Sequence, residues 1–302
     1  MDRLFVIFNP AARGEKSRRV RQFLEAKAGR SIAWAPTQQS GDAKALAARA
    51  VSEGYRTVIA AGGDGTINEV VNGIGSSGAT LGVLPLGTVN VFAREVGIPR
   101  RIEAAWAVIE SGRTRLIDLA RADASGSTRF FVQLAGVGFD AQAVRTASWE
   151  LKKRFGPLSY VWAGLKTISR TPVSVEVSTN GSGVCGRGVA ALVGNGRFYG
   201  GQFALFPKAR LDDGVLDVCV FETCTYFDVL RYGQGILRGV HTKMAGVQYF
   251  QTKQLACGGS GATPFEVDGE DAGDGPVAFS VAPRALRVIV PSAVVEAGRS
   301  TG

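Results

Sequence analysis

Cysteine, histidine and long apolar runs are what this sequence has least of. Its four cysteines, Cys185, Cys219, Cys224 and Cys257, all fall in the second half. None belongs to a C-x-x-C pair or has a histidine at ligand spacing, which disfavours a zinc site and a disulfide framework. The only histidine is His241, and with no partner placed beside it, acid–base chemistry resting on histidine is not expected. No stretch approaches the ~18 consecutive apolar residues of a membrane span. Only Met1, Asp2 and Arg3 precede the first apolar run, Leu4 to Phe8, which stops at Asn9-Pro10. That is far short of a secretory core, and the expectation is a cytoplasmic protein. Internal repeats and low-complexity tracts are also missing.

What is present is a chain of 302 residues, 45% of them hydrophobic, enough for two domains with buried cores. Lys and Arg number 35 against 26 Asp and Glu, a net charge of +9. An anionic partner fits that balance, whether nucleotide phosphates, nucleic acid or an acidic membrane, and so does plain solubility.

The first 120 or so residues repeat a strand-then-helix rhythm. Leu4 to Phe8 reads as a strand, followed by a helix carrying Val20, Phe23 and Leu24 on one face. An Ala-rich helix from Ala43 to Val51 leads to a buried strand, Thr57 to Ala61. Ile67, Val70, Val71 and Ile74 then fall at i, i+3, i+4 and i+7, one apolar helix face. Leu81 to Leu84 and a helix from Asn90 to Val96 complete another unit. Such alternation implies a doubly wound parallel sheet. After the polar stretch Ala122 to Ser127, β-branched and aromatic runs dominate: Phe130 to Leu134, Val173 to Ser178, Val189 to Val193, Val215 to Phe221, Val277 to Val281 and Leu286 to Val290. The expected fold is an N-terminal doubly wound α/β domain, residues 1–124, and a mostly antiparallel β-sandwich domain, 125–302, whose last strand or tail can pack back on the first.

Gly62-Gly63-Asp64-Gly65-Thr66 lies where a strand ends and a helix begins, the place at which open α/β sheets bind ligands. Glycines there let backbone amides approach phosphate oxygens, and the helix dipole favours the anion. Thr66 and Glu69 also have the spacing of a capping box, a purely structural role. Asp64 is harder to explain that way. An acid beside a phosphate repels it unless a cation intervenes, which points to Mg²⁺. Two other matches fail on context: Gly73 to Gly78 follows a helix, not a strand, and Gly14-Glu-Lys-Ser17 lacks the earlier glycine of a phosphate loop.

Asn9-Pro10…Gly14, Gly62 to Glu69 and Pro85-Leu-Gly-Thr-Val-Asn-Val-Phe-Ala-Arg94 together resemble the catalytic domain of the diacylglycerol, sphingosine and ceramide kinases and their bacterial soluble relatives. Asn195 to Gly201, Pro207 to Gly214 and Val267-Asp-Gly-Glu270 are similar to that family's later motifs, in the same order. The resemblance implies a cytoplasmic enzyme, transiently at the membrane, that moves the γ-phosphoryl group of Mg-ATP to a lipid hydroxyl in a cleft between the domains. On that resemblance ATP is held by Asn9, Pro10, Gly14, Thr37, Gly62, Gly63, Gly65, Thr66, Asn68, Glu69 and Thr88. Asp268 and Glu270, with Asp64, form the catalytic set, either of the first two accepting the proton. A structural Mg²⁺ maps onto Asp213 with the carbonyls of Arg210 and Val215; a plain turn at Asp212-Asp213-Gly214 is the simpler reading.

One departure is Val91, where many diacylglycerol-type members carry Asp. It leaves open a sphingoid or other lipid alcohol, and a catalytically impaired relative. The basic and aromatic stretch Trp149 to Lys166 suits either an anionic membrane or a solvated helix face, and Arg13, Lys16, Arg18 and Arg19 suit either triphosphate or solvent. Nucleic acid is not an expected partner, and oligomeric state is not legible. NAD kinases share the Gly-Gly-Asp-Gly-Thr element, but no Thr-Gly-Ser-Thr-Ala-Tyr segment of their type is found here.

Overall fold

The computed structural model describes residues 3–10, 14–27, 29, 31–146, 173–179, 182–259 and 261–292. The stretch Trp149 to Lys166 and Arg13 lie outside them. The chain forms two compact units, one from Met1–Ile117 and Arg284–Gly302, the other from Asp118–Pro283.

The first unit runs β1 (Leu4–Phe8), α1 (Gly14–Lys27), β2 (Ile32–Pro36), α2 (Asp42–Ser52), β3 (Thr57–Gly62), α3 (Asp64–Ile74), β4 (Thr80–Pro85), α4 (Val91–Glu95) and α5 (Ile102–Ser111). The strands β2, β1, β3 and β4 are neighbours in that order and all parallel. Every residue of β3 is buried, as a strand with helices on both faces requires. The α3 positions expected to face the sheet, Ile67, Val70, Val71 and Ile74, are at most 2% exposed. Gly73 lets α3 cross α2 closely, since a Cβ there would lie 2.3 Å from the Lys44 carbonyl oxygen.

The second unit contains β5 (Thr114–Ala124, which begins in the first unit), β6 (Ser127–Phe131), β7 (Leu134–Gly138), α6 (Phe139–Thr146), β8 (Val175–Thr179), β9 (Ser182–Gly188) and β10 (Ala190–Gly194). There follow β11 (Phe198–Tyr199), β12 (Phe203–Ala204), β13 (Leu216–Phe221), α7 (Tyr226–Leu237), β14 (Val247–Thr252), β15 (Gln254–Gly258), β16 (Pro264–Val267), β17 (Glu270–Asp274) and β18 (Val277–Ile289). A six-stranded sheet has the order β14-β13-β10-β7-β16-β17, with antiparallel pairs throughout. Alternate residues of its strands serve two cores. Val137, Val193 and Val218 pack with Val177, Leu255 and Phe279 of the second sheet, while Leu192, Cys219 and Phe221 pack on the other side with Phe206 and Tyr232. The expected sandwich is present, with helix α7 laid on its outer side.

Several expected strand limits change. Phe130 to Leu134 is not one strand: the chain breaks at Val132-Gln133 between β6 and β7, where a carboxylate takes the backbone amides. Val277 to Val281 and Leu286 to Val290 are one strand, β18, whose later part pairs in parallel with β4 through Arg287 and Val288. Helix α7 was not expected from the sequence. Among the described residues no helix is long and apolar enough to cross a membrane.

Candidate active site

The carboxyl ends of β1, β2, β3 and β4 all open on one edge of the parallel sheet. Asn9 follows β1 and Thr37 follows β2, tied to the strands by Asn9 N–H to the Ala61 carbonyl and Thr37 N–H to that of Phe8, both 2.9 Å. Between β3 and α3 the backbone turns so tightly that a Cβ on Gly62 would lie 2.3 Å from Thr66 Oγ1. A Cβ on Gly87 would lie 2.7 Å from the Cα of Gly63. The turns after β3 and β4 therefore touch backbone to backbone, and only glycine permits it. Thr88 is exposed beside them, its carbonyl accepting from Arg100 at 2.9 Å. Pro10 is exposed too, and Gly14 opens α1.

Helix α3 gives its acids away. Its own N-cap is Gly63, with no side-chain cap, so the first amides stay open to an anion. The capping box of Thr66 and Glu69 does not form: Thr66 is in the helix, and its Oγ1 accepts from Asn9 Nδ2 at 3.1 Å. Glu69 instead takes the N-terminus of α2, accepting from Gly41 N at 2.8 Å and Ala43 N at 3.0 Å. Asp64 does the same for α4, accepting from Phe92 N at 3.1 Å. Burial raises its pKa, against the pull of backbone amides at Val91, Phe92 and Asn90. Asn68 is buried and its Oδ1 accepts from Asn72, one turn on. Asn90 is held at φ 55, its Nδ2 on the Gly87 carbonyl at 2.7 Å and its Oδ1 buried without a partner.

In the second unit, Asp268 and Gly269 make the two-residue turn of the β16–β17 hairpin, both at positive φ (48° and 84°), the backbone that Asp-Gly turns favour. The Asp268 carboxylate accepts the amides of Val132, Gln133 and Leu134 at 3.0–3.1 Å, and that is what breaks the expected strand. Glu270 opens β17 opposite Val267. Beneath the turn, Glu266 accepts from Gly269 N at 2.6 Å. Glu266 and Asp140 are buried and converge over Gly136, where a Cβ would lie 2.3 Å from Asp140 Oδ2 and 2.9 Å from Glu266 Oε1. Burial, then repulsion by Asp140, holds Glu266 well above the ordinary carboxylate range, and burial raises Asp140 as well; Asp140 Oδ2 and Glu266 Oε1 are buried without a hydrogen-bond partner. Tyr199 donates to the other oxygen of Asp140 at 2.6 Å. Sequence reading missed this pair because nothing in a chain's spacing shows that two acids share a buried pocket.

The turn expected to hold Mg²⁺ has Asp213 Oδ1 accepting from Val215 N at 3.2 Å. Fully buried Asp118 accepts from Gly214 N at 2.6 Å. Burial, then the charges of Asp217 and Asp118, raise the Asp213 pKa. Arg210 opposes that shift and pairs with Asp212 at 3.4 Å. Among the described residues, no three His, Cys, Asp or Glu side chains gather closely enough to hold a metal.

Residues 3–122 match the diacylglycerol kinase catalytic domain, and residues 133–290 match the YegS C-terminal NAD kinase beta sandwich-like domain. The chain is 32% identical to a "Probable lipid kinase YegS-like" of Pseudomonas aeruginosa over 299 residues, covering 96% of this chain and 95% of that one. It is also 32% identical to a diacylglycerol kinase of Staphylococcus carnosus over 295 residues, covering 96% and 95%. A crystal structure of a diacylglycerol kinase from Bacillus anthracis str. Sterne superposes with a TM-score of 0.77 at 23% identity, covering 97% of this chain and 98% of that one, a likeness of fold. The chain belongs to the family of diacylglycerol kinases and YegS-like lipid kinases.

Proposed function

We propose that the protein transfers the γ-phosphoryl group of ATP, with Mg²⁺, to the hydroxyl of a lipid alcohol such as diacylglycerol or a sphingoid base. The observation that carries the reading is the open N-terminus of α3. The turns after β1 and β4 approach it, its own acids Glu69 and Asp64 serve the N-termini of α2 and α4, and no side chain of its N-cap covers it. Mg²⁺, when bound, offsets charge on the phosphates. Asn9, Thr37, Gly63, Gly65, Thr66 and Thr88 hold and orient the nucleotide. Asp64 would face a cation beside them, and Asp213 with the Arg210 and Val215 carbonyls would hold a structural ion. Of the two acids in the hairpin, Glu270 is the better base. Asp268 already accepts three amides, and protonating it would weaken all three, so its part is to position the turn.

The test is incubation with γ-labelled ATP, Mg²⁺ and either extracted lipid or NAD. Label in the organic phase is the expected result; label on NAD, or none in either, would overturn the reading. Glu270→Gln is expected to lose at least about a hundredfold in turnover without losing stability, a typical general-base effect. Asp268→Asn is expected to lose stability as well, by about 1–3 kcal/mol. Full activity in Glu270→Gln would remove it from the role.

A further inference from the structure

Among the described residues, seven large apolar side chains are markedly exposed: Leu116, Val184, Tyr226, Phe227, Leu230, Leu237 and Val240. Five of the seven lie between Tyr226 and Val240, and the four most exposed are all on α7, with Phe227 at 72% and Leu237 at 70%. At 3.6 residues per turn, Tyr226, Phe227, Leu230 and Leu237 fall in one arc about 100° wide. Tyr232 and Gly235 lie opposite and are buried on the sandwich, with Ile236 beside them. The helix is thus apolar on two sides, and the six-stranded sheet occupies only one. A cluster of exposed large apolar side chains on one helix marks a surface that meets something.

The charges around the patch identify its partner. The one acid on the helix, Asp228, is buried in a capping box with Thr225 and also pairs with Arg231. Arg238 and Lys243 are exposed just past the helix end, and the chain as a whole carries +9. Exposed aromatic and aliphatic side chains with two exposed cations just past the helix end suit the boundary between headgroups and acyl chains of an anionic bilayer. We propose that α7 is a membrane-docking helix: Tyr226, Phe227, Leu230, Leu237 and Val240 enter the boundary of an anionic lipid surface, and Arg238 and Lys243 meet its phosphates. Choosing a lipid surface over a protein rests in part on the lipid-kinase reading, since that substrate resides in a bilayer.

The full chain is sedimented, without nucleotide, with vesicles of phosphatidylcholine alone or mixed in equal parts with phosphatidylglycerol. The wild-type chain is expected to pellet with the mixed vesicles. The variant Phe227→Ser/Leu230→Ser/Leu237→Ser is expected to bind them at least about tenfold more weakly, with an unchanged Tm and unchanged phosphorylation of a short-chain, water-soluble lipid alcohol. Equal binding by the variant, or no binding by the wild-type chain, overturns the proposal. So does a Tm lowered by the substitutions, which would mean that another segment of this chain covers the face. A concentration-dependent dimer that the variant abolishes overturns it too, the face then belonging to a second copy. Vesicle binding lost in the variant, with no lipid phosphorylated by either form, supports docking and overturns the kinase reading alone.

Discussion

At the scale of single residues, the same side chain often has two physical jobs, and substitutions can separate them. Asp64 caps α4 through the Phe92 amide and is proposed to face the cation beside the phosphates. Asp64→Asn keeps an oxygen for the amide but no charge, so turnover is expected to fall by more than about tenfold with little change in stability. Asp64→Ala is expected to lose turnover and about 0.5–2 kcal/mol of stability as well. Thermal unfolding beside a turnover assay reads both; normal turnover in Asp64→Asn would confine the residue to capping. The Asp140–Glu266 pair makes a pH prediction. Below the ordinary carboxylate range, folded and unfolded chains both hold Glu266's proton, and it contributes no pH dependence. As pH rises through that range the unfolded chain releases the proton while the buried group keeps it, so stability falls with pH up to the raised folded value. Glu266→Gln keeps the size of the side chain but cannot ionise, so it carries no such pH dependence. Its Tm relative to the wild-type chain is expected to climb as pH rises above the ordinary glutamate value of about 4.3, and a flat difference would show that the group is ionised in the fold.

At the scale of elements, the first unit shows helices completed by one another. The Gly41 N-cap of α2 has no side chain, and Glu69 of α3 supplies the acceptors instead. Glu69→Ala is expected to cost about 0.5–2 kcal/mol and, by loosening the segment after Thr37, to raise the KM for ATP more than it lowers kcat. An unchanged KM would separate that segment from the nucleotide. The spacing Thr66–Glu69 put the helix start at Thr66, three residues past the observed N-cap Gly63, and assigned the acid to the wrong helix. Local pattern records that a carboxylate is suited to an N-terminus, not which N-terminus packs beside it. Likewise Phe130 to Leu134 has the composition of a strand, and its break exists because Asp268, more than a hundred residues later, takes three of its amides.

At the scale of the whole molecule, the surplus of positive charge sets how the docking helix should respond to salt. Exposed charges are screened over about 10 Å at 0.1 M ionic strength and about 3 Å at 1 M. Vesicle association is therefore expected to weaken steeply across that range and then level off at the part due to apolar burial, which salt does not screen. Loss of all binding at high salt would mean that charge alone carries it. Much of this protein was legible in its sequence, because the signals are local. Alternating strand and helix periods give the parallel unit, β-branched runs give the sandwich, and Gly62 to Thr66 can only be a tight turn at a helix start. Family motifs spread along the chain added the acids. What the tertiary structure alone decided is which distant groups meet: Gly63 against Gly87, Glu69 on α2, Asp268 on the break before β7, Glu266 against Asp140, and β18 returning beside β4. It also decided which side of α7 faces the sheet and which stays open. Those depend on contacts between residues far apart in the chain, where burial and repulsion set the energies, and no short window of sequence contains both partners.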